Sequence, residues 1–225
     1  MASSGIPALD KLLADGYPDK SAILITGAPG VGKQSLGYWF TYAGLQQGDF
    51  CIYITRLTTR EVLKDAKAFG IDFGSSMPFW IAAEGGEIKY DYKDLTVLSY
   101  NIKDVLRKNT GRRIRIVADV FSPLLMLNQP ESIYRFLTQL LSEVKQYDVV
   151  LVATLEDGMH EPQVMTAMQA LFDGVLELRI YDEGGLNYVP ILRVQKMLGV
   201  APQHGNFRFS FTQNAMEVIP YARRA

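Results

Sequence analysis

The chain has 225 residues, of which 48% are hydrophobic and 21% are charged, and its formal net charge is −1. This composition excludes a disordered chain, which combines low hydrophobicity with high net charge. The near-neutral balance argues against a protein-wide field that attracts nucleic acid or anionic lipid. With a single cysteine, the chain cannot form an intrachain disulfide.

The N-terminal ten residues lack a basic segment followed by an apolar run, so we predict no signal peptide. The longest stretch without Asp, Glu, Lys or Arg covers residues 34–48. It is too short and too polar to span a membrane, which takes about 20 apolar residues. We therefore expect a soluble cytoplasmic protein with one domain over residues 1–225 and no membrane contact.

Strand and helix patterns alternate from residue 22 to residue 153. In chain order they predict strand 22–26, helix 33–47, strand 50–55, helix 58–69, strand 79–83, helix 94–108, strand 115–118, helix 130–146 and strand 149–153. Such alternation is typical of an α/β fold with a parallel sheet and helices on both faces.

The pattern changes after residue 173. Apolar and polar residues alternate over 175–181, 188–196 and 207–211, and a turn is predicted at 183–185. We therefore expect antiparallel hairpins at one edge of the sheet.

The segment between the first strand and the first helix is rich in glycine. Its residues are Gly27, Ala28, Pro29, Gly30, Val31, Gly32 and Lys33. They fit G-x-x-x-x-G-K, part of a Walker A motif, in which backbone N–H groups surround a phosphate and the lysine binds the outer phosphates. The following helix directs the positive end of its dipole at the anion. We therefore predict phosphate binding by this loop.

The next residue departs from the motif. A Walker A loop has Ser or Thr there, whose hydroxyl binds Mg²⁺, whereas this chain has Gln34. Ser35 lies about 100° further round the helix and cannot simply take that place. Both residues stay candidates for nucleotide binding, but the usual hydroxyl ligand of the metal is missing.

The strand at 115–118 leads directly into a carboxylate, Asp119. An apolar strand that ends in Asp is typical of a Walker B motif, in which the Asp holds Mg²⁺ directly or through water. We predict a role for Asp119 on the metal side of the nucleotide. The alternative is a residue that caps a turn.

These motifs form part of a longer series that resembles the KaiC-like branch of the RecA ATPase superfamily. The matching segments are 5–13, 27–33, 119–125, 154–160, 173–178 and 192–197. The resemblance implies a RecA-type core, ATP bound at an interface between subunits, and a homo-oligomer that is often a hexameric ring.

Two further departures concern positions that the resemblance implies for catalysis. Members of the family usually carry paired glutamates after the second strand, one of which activates water, and here Arg56 and Leu57 take those places. The family also extends a Lys-x-Arg element to the neighbour's nucleotide. Here Lys196 remains as a trans-subunit candidate, but Leu198 replaces the arginine. Loss of such an arginine alone slows phosphoryl transfer by about 10³–10⁵.

Other charged residues have both a functional and a structural interpretation. Glu156 or Asp157 is a weak candidate for the missing water activator, the alternative being loop solvation or helix capping. Arg56 either contacts phosphate or forms a surface salt bridge. Arg112 and Arg113 belong to a basic cluster, 107–115, interpreted as a solvated connection, with nucleic acid or an acidic partner as the alternative.

The predicted function is ATP binding by a KaiC-like regulator or scaffold with weak or absent hydrolysis and an unidentified protein partner. ATP is the expected ligand, with Mg²⁺ placed at Asp119 if a metal is bound. Three alternatives stay open: an active ATPase that uses Glu156 or Asp157, an interaction protein that binds no nucleotide, and a recombinase-like DNA-binding protein. No phosphoacceptor pattern supports autokinase activity.

Overall fold

A computed structural model describes residues 1–74, 76–82, 85–89, 94–184, 187–212 and 215–221. Within these ranges the helices are α1 (Pro7–Leu12), α2 (Lys33–Gln46), α3 (Thr59–Ala68), α4 (Leu95–Lys108), α5 (Phe121–Leu127), α6 (Pro130–Val144) and α7 (Pro162–Leu171). The strands are β1 (Ala22–Gly27), β2 (Phe50–Thr55), β3 (Phe79–Ala82), β4 (Ile88–Lys89), β5 (Ile114–Asp119), β6 (Val149–Glu156), β7 (Gly174–Asp182), β8 (Tyr188–Met197), β9 (Asn206–Phe211) and β10 (Met216–Pro220).

The described strands form one sheet in the order β10-β9-β8-β7-β1-β6-β5-β2-β3-β4. Pairing is parallel from β7 through β1 to β4 and antiparallel from β7 to β10. The predicted α/β fold, with a parallel core and antiparallel C-terminal strands, is confirmed. Strand β7 pairs in parallel with β1, so the antiparallel part begins only at β8.

Helices cover both faces of the sheet. Helices α1, α2 and α3 contribute to the apolar layer on one face, and α4, α5, α6 and α7 to the layer on the other. Strand β1 is buried along its whole length, with alternate residues in the two layers. Burial on both faces explains why its sequence is an uninterrupted apolar run. No helix among the described residues has the length and apolar character that crossing a membrane requires.

The predicted segments between residues 22 and 153 are all present, with ends shifted by a few residues. Ala83, at one predicted strand end, and Gly185, in the predicted turn, lie outside the described residues. The short elements α1, α5, β4 and β10 were not predicted from the sequence, and the bounds of α7 were not predicted either. Helix α5 was missed because it contains Pro123, which a first helical turn tolerates.

Arg115 on β5 is buried, with 1% of its surface exposed. Its guanidinium donates to the Asp49 carboxylate at 2.7 Å, to the Gln47 side chain at 2.6 Å, and to the backbone carbonyls of Ser3 and Phe40 at 2.6 and 3.1 Å. The interpretation of the basic cluster 107–115 as a solvated connection is therefore wrong for Arg115.

Helix α2 leaves room for this arginine at Gly44. A Cβ on Gly44 would lie 2.4 Å from Cδ of Arg115 and 2.7 Å from Sγ of Cys51. The arginine therefore ties α2, the turn before β2 and the N-terminal segment to the centre of the sheet.

We expect Arg115→Ala to lower the free energy of unfolding by about 3–5 kcal/mol, because it leaves the Asp49 carboxylate without its cationic partner. Arg115→Lys keeps the charge but loses the planar fork, so an intermediate loss is expected. Urea denaturation measures both. The control is Arg107→Ala on the exposed side of α4, expected to change stability by no more than about 0.5 kcal/mol. A similarly small loss for Arg115→Ala would contradict the role assigned to this network.

Candidate functional site

Four neighbouring parallel strands, β1, β6, β5 and β2, end at the same edge of the sheet. Gly27 lies opposite Glu156, and Asp119 lies opposite Thr55, the residue before Arg56. The carboxyl ends of parallel strands are the usual place for a ligand in such sheets. The topology therefore brings the glycine-rich loop, Glu156, Asp119 and Arg56 to one place.

The glycine-rich loop, residues 27–33, contains two glycines that its shape requires. Gly30 and Gly32 have φ angles of +78° and +99°, which residues with a Cβ rarely adopt. A Cβ on Gly32 would also lie 2.5 Å from a ring carbon of Phe211, the last residue of β9. The loop is therefore packed against the antiparallel part of the sheet.

Lys33, the first residue of α2, is 1% exposed and folds back onto the loop. Its ammonium donates to the backbone carbonyls of Gly27 and Ala28, each at 2.8 Å. It also forms an ion pair with the Glu156 carboxylate at 2.5 Å. All three N–H donors of the ammonium therefore have acceptors within the chain.

A pocket of about 470 Å³ opens beside this ion pair. Its polar lining comes from the ends of β2, β5 and β6, from the start of α2 and from α5, and the rest of its lining is apolar. The polar residues are Gln34, Arg56, Asp119, Ser122, Thr154 and Glu156, and the apolar ones are Pro29, Val120, Pro123, Met126, Leu127 and Met159. The charged residues Arg56, Asp119 and Glu156 therefore line one cavity, and Lys33 reaches it through its ion pair with Glu156.

Asp119 is the last residue of β5 and accepts a hydrogen bond from the hydroxyl of Thr154 on β6. Burial raises the pKa of Asp119, and the Thr154 hydrogen bond and the positive charge of Arg56 oppose that rise. The carboxylate therefore already has a donor and a neighbouring cation. A metal role for Asp119 stays a prediction.

The start of α2 does not offer the hydroxyl that magnesium takes in a Walker A loop. The Ser35 hydroxyl is buried and donates to the backbone carbonyl of Gly32 at 2.7 Å. Gln34 lines the pocket with an amide side chain instead. The residues present therefore do not fit the usual magnesium position of such a loop.

Glu61, Asp157 and Glu156 have different surroundings. Glu61 closes a capping box with Thr58 at the start of α3, so it contributes to helix formation. Burial and the neighbouring Glu177 carboxylate raise the pKa of Asp157, whose backbone N–H donates to the Gly27 carbonyl. Glu156 is held by Lys33. Activation of water by Glu156 or Asp157 stays a prediction that no contact here favours.

Lys196 lies outside the pocket. It donates to the backbone carbonyls of Phe172 at 2.5 Å and Ala170 at 3.3 Å, at the end of α7. Its predicted contact with a neighbouring subunit therefore remains untested, and within the chain it stabilises a helix end.

Arg112 and Arg113 of the basic cluster also have partners within the chain. Arg112 lies over the Phe50 ring, and Arg113 donates to the Asp19 carboxylate and to the Met1 carbonyl. Contact between these arginines and nucleic acid stays a prediction.

Three residues of the site were not predicted from the sequence. Thr154 donates to Asp119, the Ser122 hydroxyl accepts the backbone N–H of Glu156 at 2.7 Å, and Phe211 packs on the loop. A polar residue near the end of a buried strand was a usable signal for Thr154. Phe211 gave no such signal, because its contact depends on how β9 joins the sheet.

Comparison with known proteins finds a matching family model and several similar proteins. A family model described as "ATPase: KaiC" matches residues 2–223. The UPF0273 protein of Methanopyrus kandleri is 28% identical in an alignment that covers 97% of this chain and 91% of that protein. The UPF0273 protein of Thermotoga maritima is 27% identical over 96% of this chain and 95% of its own. The circadian clock protein KaiC2 of Synechocystis sp. is 23% identical over 96% of this chain and 39% of its own.

The ion pair between Lys33 and Glu156 predicts competition between Glu156 and an anionic ligand. We expect Glu156→Gln to tighten ATP binding about tenfold, because it frees the ammonium and removes a negative charge beside the phosphates. Isothermal titration calorimetry measures the change. Glu161→Gln, an exposed carboxylate outside the pocket, is the matched control and should bind as wild type does. Weaker binding by Glu156→Gln would show that the carboxylate assists the ligand.

The raised pKa of Asp119 predicts a dependence of stability on pH. The folded carboxyl holds its proton more tightly than the unfolded one, so folding stability falls as pH rises from the unfolded pKa through the folded one. Asp119→Asn does not incur this loss. We therefore expect the stability of Asp119→Asn relative to wild type to increase as the pH rises above about 4, the pKa of an unfolded aspartate, measured by urea denaturation without divalent cations. A difference that stays constant or shrinks as the pH rises would contradict the assignment.

Proposed function

Because the chain belongs to the KaiC ATPase family, we propose that it binds ATP at the glycine-rich loop, hydrolyses it slowly or not at all, and acts as a nucleotide-dependent regulator or scaffold. The observation that carries this proposal is the contrast within the pocket. The lysine and glycines that bind phosphate are present, whereas the position of the water-activating carboxylate holds Arg56.

The loop geometry supports phosphate binding. Gly30 and Gly32 have the left-handed φ angles that let a loop curl its backbone N–H groups round a phosphate, and the loop leads directly into α2, whose N-terminus is the positive end of its dipole. Lys33 adds a full positive charge within reach of the pocket. When ATP binds, the Lys33 ammonium exchanges the Glu156 carboxylate for phosphate oxygens.

Three departures support slow hydrolysis. Ser35 turns its hydroxyl into the loop, Arg56 takes the place of the carboxylate that would orient water, and Leu198 replaces the arginine of the trans element. Catalysis of phosphoryl transfer consists mostly of positioning and charge stabilisation, so these losses multiply.

Assembly is part of the proposal. Members of the family are often oligomeric, and the resemblance implies a homo-oligomer, hexameric in many relatives, with ATP near the interface between subunits. A subunit that retains ATP without hydrolysing it keeps its bound conformation, so ATP would act as a structural ligand. This property suits a regulator or scaffold that recruits another protein.

The proposal predicts that ATP binds and stabilises the wild-type protein and that Lys33→Ala weakens binding by at least about tenfold. At a free ATP concentration of about 100 times Kd, the expected stabilisation is about 2.7 kcal/mol. Titration calorimetry and thermal denaturation measure the two quantities. Since Lys33→Ala leaves the Glu156 carboxylate unpaired, the double variant Lys33→Ala with Glu156→Gln is the control for loss of fold.

The same samples test hydrolysis. We expect steady-state phosphate release by the wild type to be close to the rate of Lys33→Ala. Rapid release that Lys33→Ala and Glu156→Gln both abolish would replace the proposal with an active ATPase. If ATP neither binds nor stabilises the wild type, the fold serves protein interaction without nucleotide.

A further inference from the structure

Arg56 lies on the side of the pocket opposite the glycine-rich loop. It directly follows β2, which is the third strand from β1 in the sheet, so the two strand ends are roughly 14 Å apart. Arg56 nevertheless lines the same cavity as Pro29 and Gln34 of the loop and first helical turn. A phosphate group held by Lys33 in this cavity would therefore lie between the glycine-rich loop and Arg56.

Arg56 lies next to the place where a phosphate-loop protein usually holds its divalent cation, which is beside the Walker B carboxylate. Asp119, the Walker B-like carboxylate, lies opposite Thr55 in the sheet, and Arg56 is the next residue after Thr55. The positive charge of Arg56 opposes the rise that burial causes in the pKa of Asp119. A guanidinium thus lies beside the carboxylate that would bind the metal.

The ligand set also disfavours a metal at this place. The hydroxyl of Ser35 is committed to Gly32, the amide of Gln34 replaces the usual hydroxyl, and Asp119 accepts from Thr154. A dication added here would also be repelled by Arg56, which has no neutral form at physiological pH. An arginine, by contrast, forms two parallel charge-assisted hydrogen bonds with a phosphate group.

On the basis of the proposed function, we infer that Arg56 binds the terminal phosphate of ATP in place of Mg²⁺, so that the protein binds the metal-free nucleotide. Lys33 holds the phosphates from the loop, and Arg56 neutralises the outermost one from the end of β2. This arrangement supplies positive charge from the protein alone. It provides no means of orienting water, so it favours retention of the nucleotide over cleavage.

The experiment is a calorimetric titration of the full chain with ATP, once with EDTA and once with MgCl₂, for wild type and Arg56→Gln. We expect wild type to bind with similar affinity in both conditions. Arg56→Gln should bind about 10- to 100-fold more weakly in EDTA and recover much of that loss in MgCl₂, because a dication carried by the phosphates of ATP then neutralises their charge and is no longer repelled by Arg56. A merely structural role for Arg56 would weaken binding equally in both conditions.

Two controls make the comparison specific. Arg60→Gln changes an exposed arginine of α3 that does not line the pocket and should leave both affinities unchanged. ADP lacks the terminal phosphate, so its binding in EDTA should be less affected by Arg56→Gln than that of ATP. An equal loss for ADP and ATP would overturn the assignment of Arg56 to the terminal phosphate.

The outcomes separate this inference from the proposed function. If wild type binds ATP only with MgCl₂, or Arg56→Gln binds as wild type does in EDTA, ATP binding stands and the role of Arg56 is overturned. If wild type binds ATP in neither condition, the proposed function itself fails.

Discussion

Strand β1 is constrained on four sides, and the geometry of the pocket depends on it. It pairs in parallel with β6 along one edge and with β7 along the other, and both of its faces are buried. A shift by one residue would exchange Ile23 and Ile25 with Ala22 and Leu24 between the two apolar layers, where side chains of a different size and shape would pack poorly. The register is therefore strictly determined, and Gly27 leaves the sheet at one place, opposite Glu156.

The site beside Gly27 combines positively and negatively charged side chains. Lys33 and Arg56 approach the cavity from opposite sides, and Glu156 and Asp119 lie between them. An anionic ligand that reaches Lys33 has to displace the Glu156 carboxylate, so its affinity is set by what the protein gives up as well as by what it gains.

Much of this arrangement could be predicted from the sequence because it is local. The loop, Lys33 and the carboxylate at Asp119 follow from motifs of a few residues, and the parallel core follows from alternating strands and helices. The ion pair between Lys33 and Glu156 joins residues 123 positions apart and depends on β6 lying next to β1. Arg115 likewise resembles its exposed neighbours in sequence, and only the packing of α2 over β5 explains its burial.

The contact between Phe211 and Gly32 has a mechanical consequence. The antiparallel strands reach the loop by two routes, through the backbone pairing of β7 with β1 and through the Phe211 ring at the start of α2. A displacement of the outer strands would therefore reach the loop in two ways, through the backbone hydrogen bonds between β7 and β1 and through the contact of the Phe211 ring with Gly32. A change in the shape of residues 27–33 therefore requires the Phe211 ring to move or the pairing of β1 with β7 to adjust.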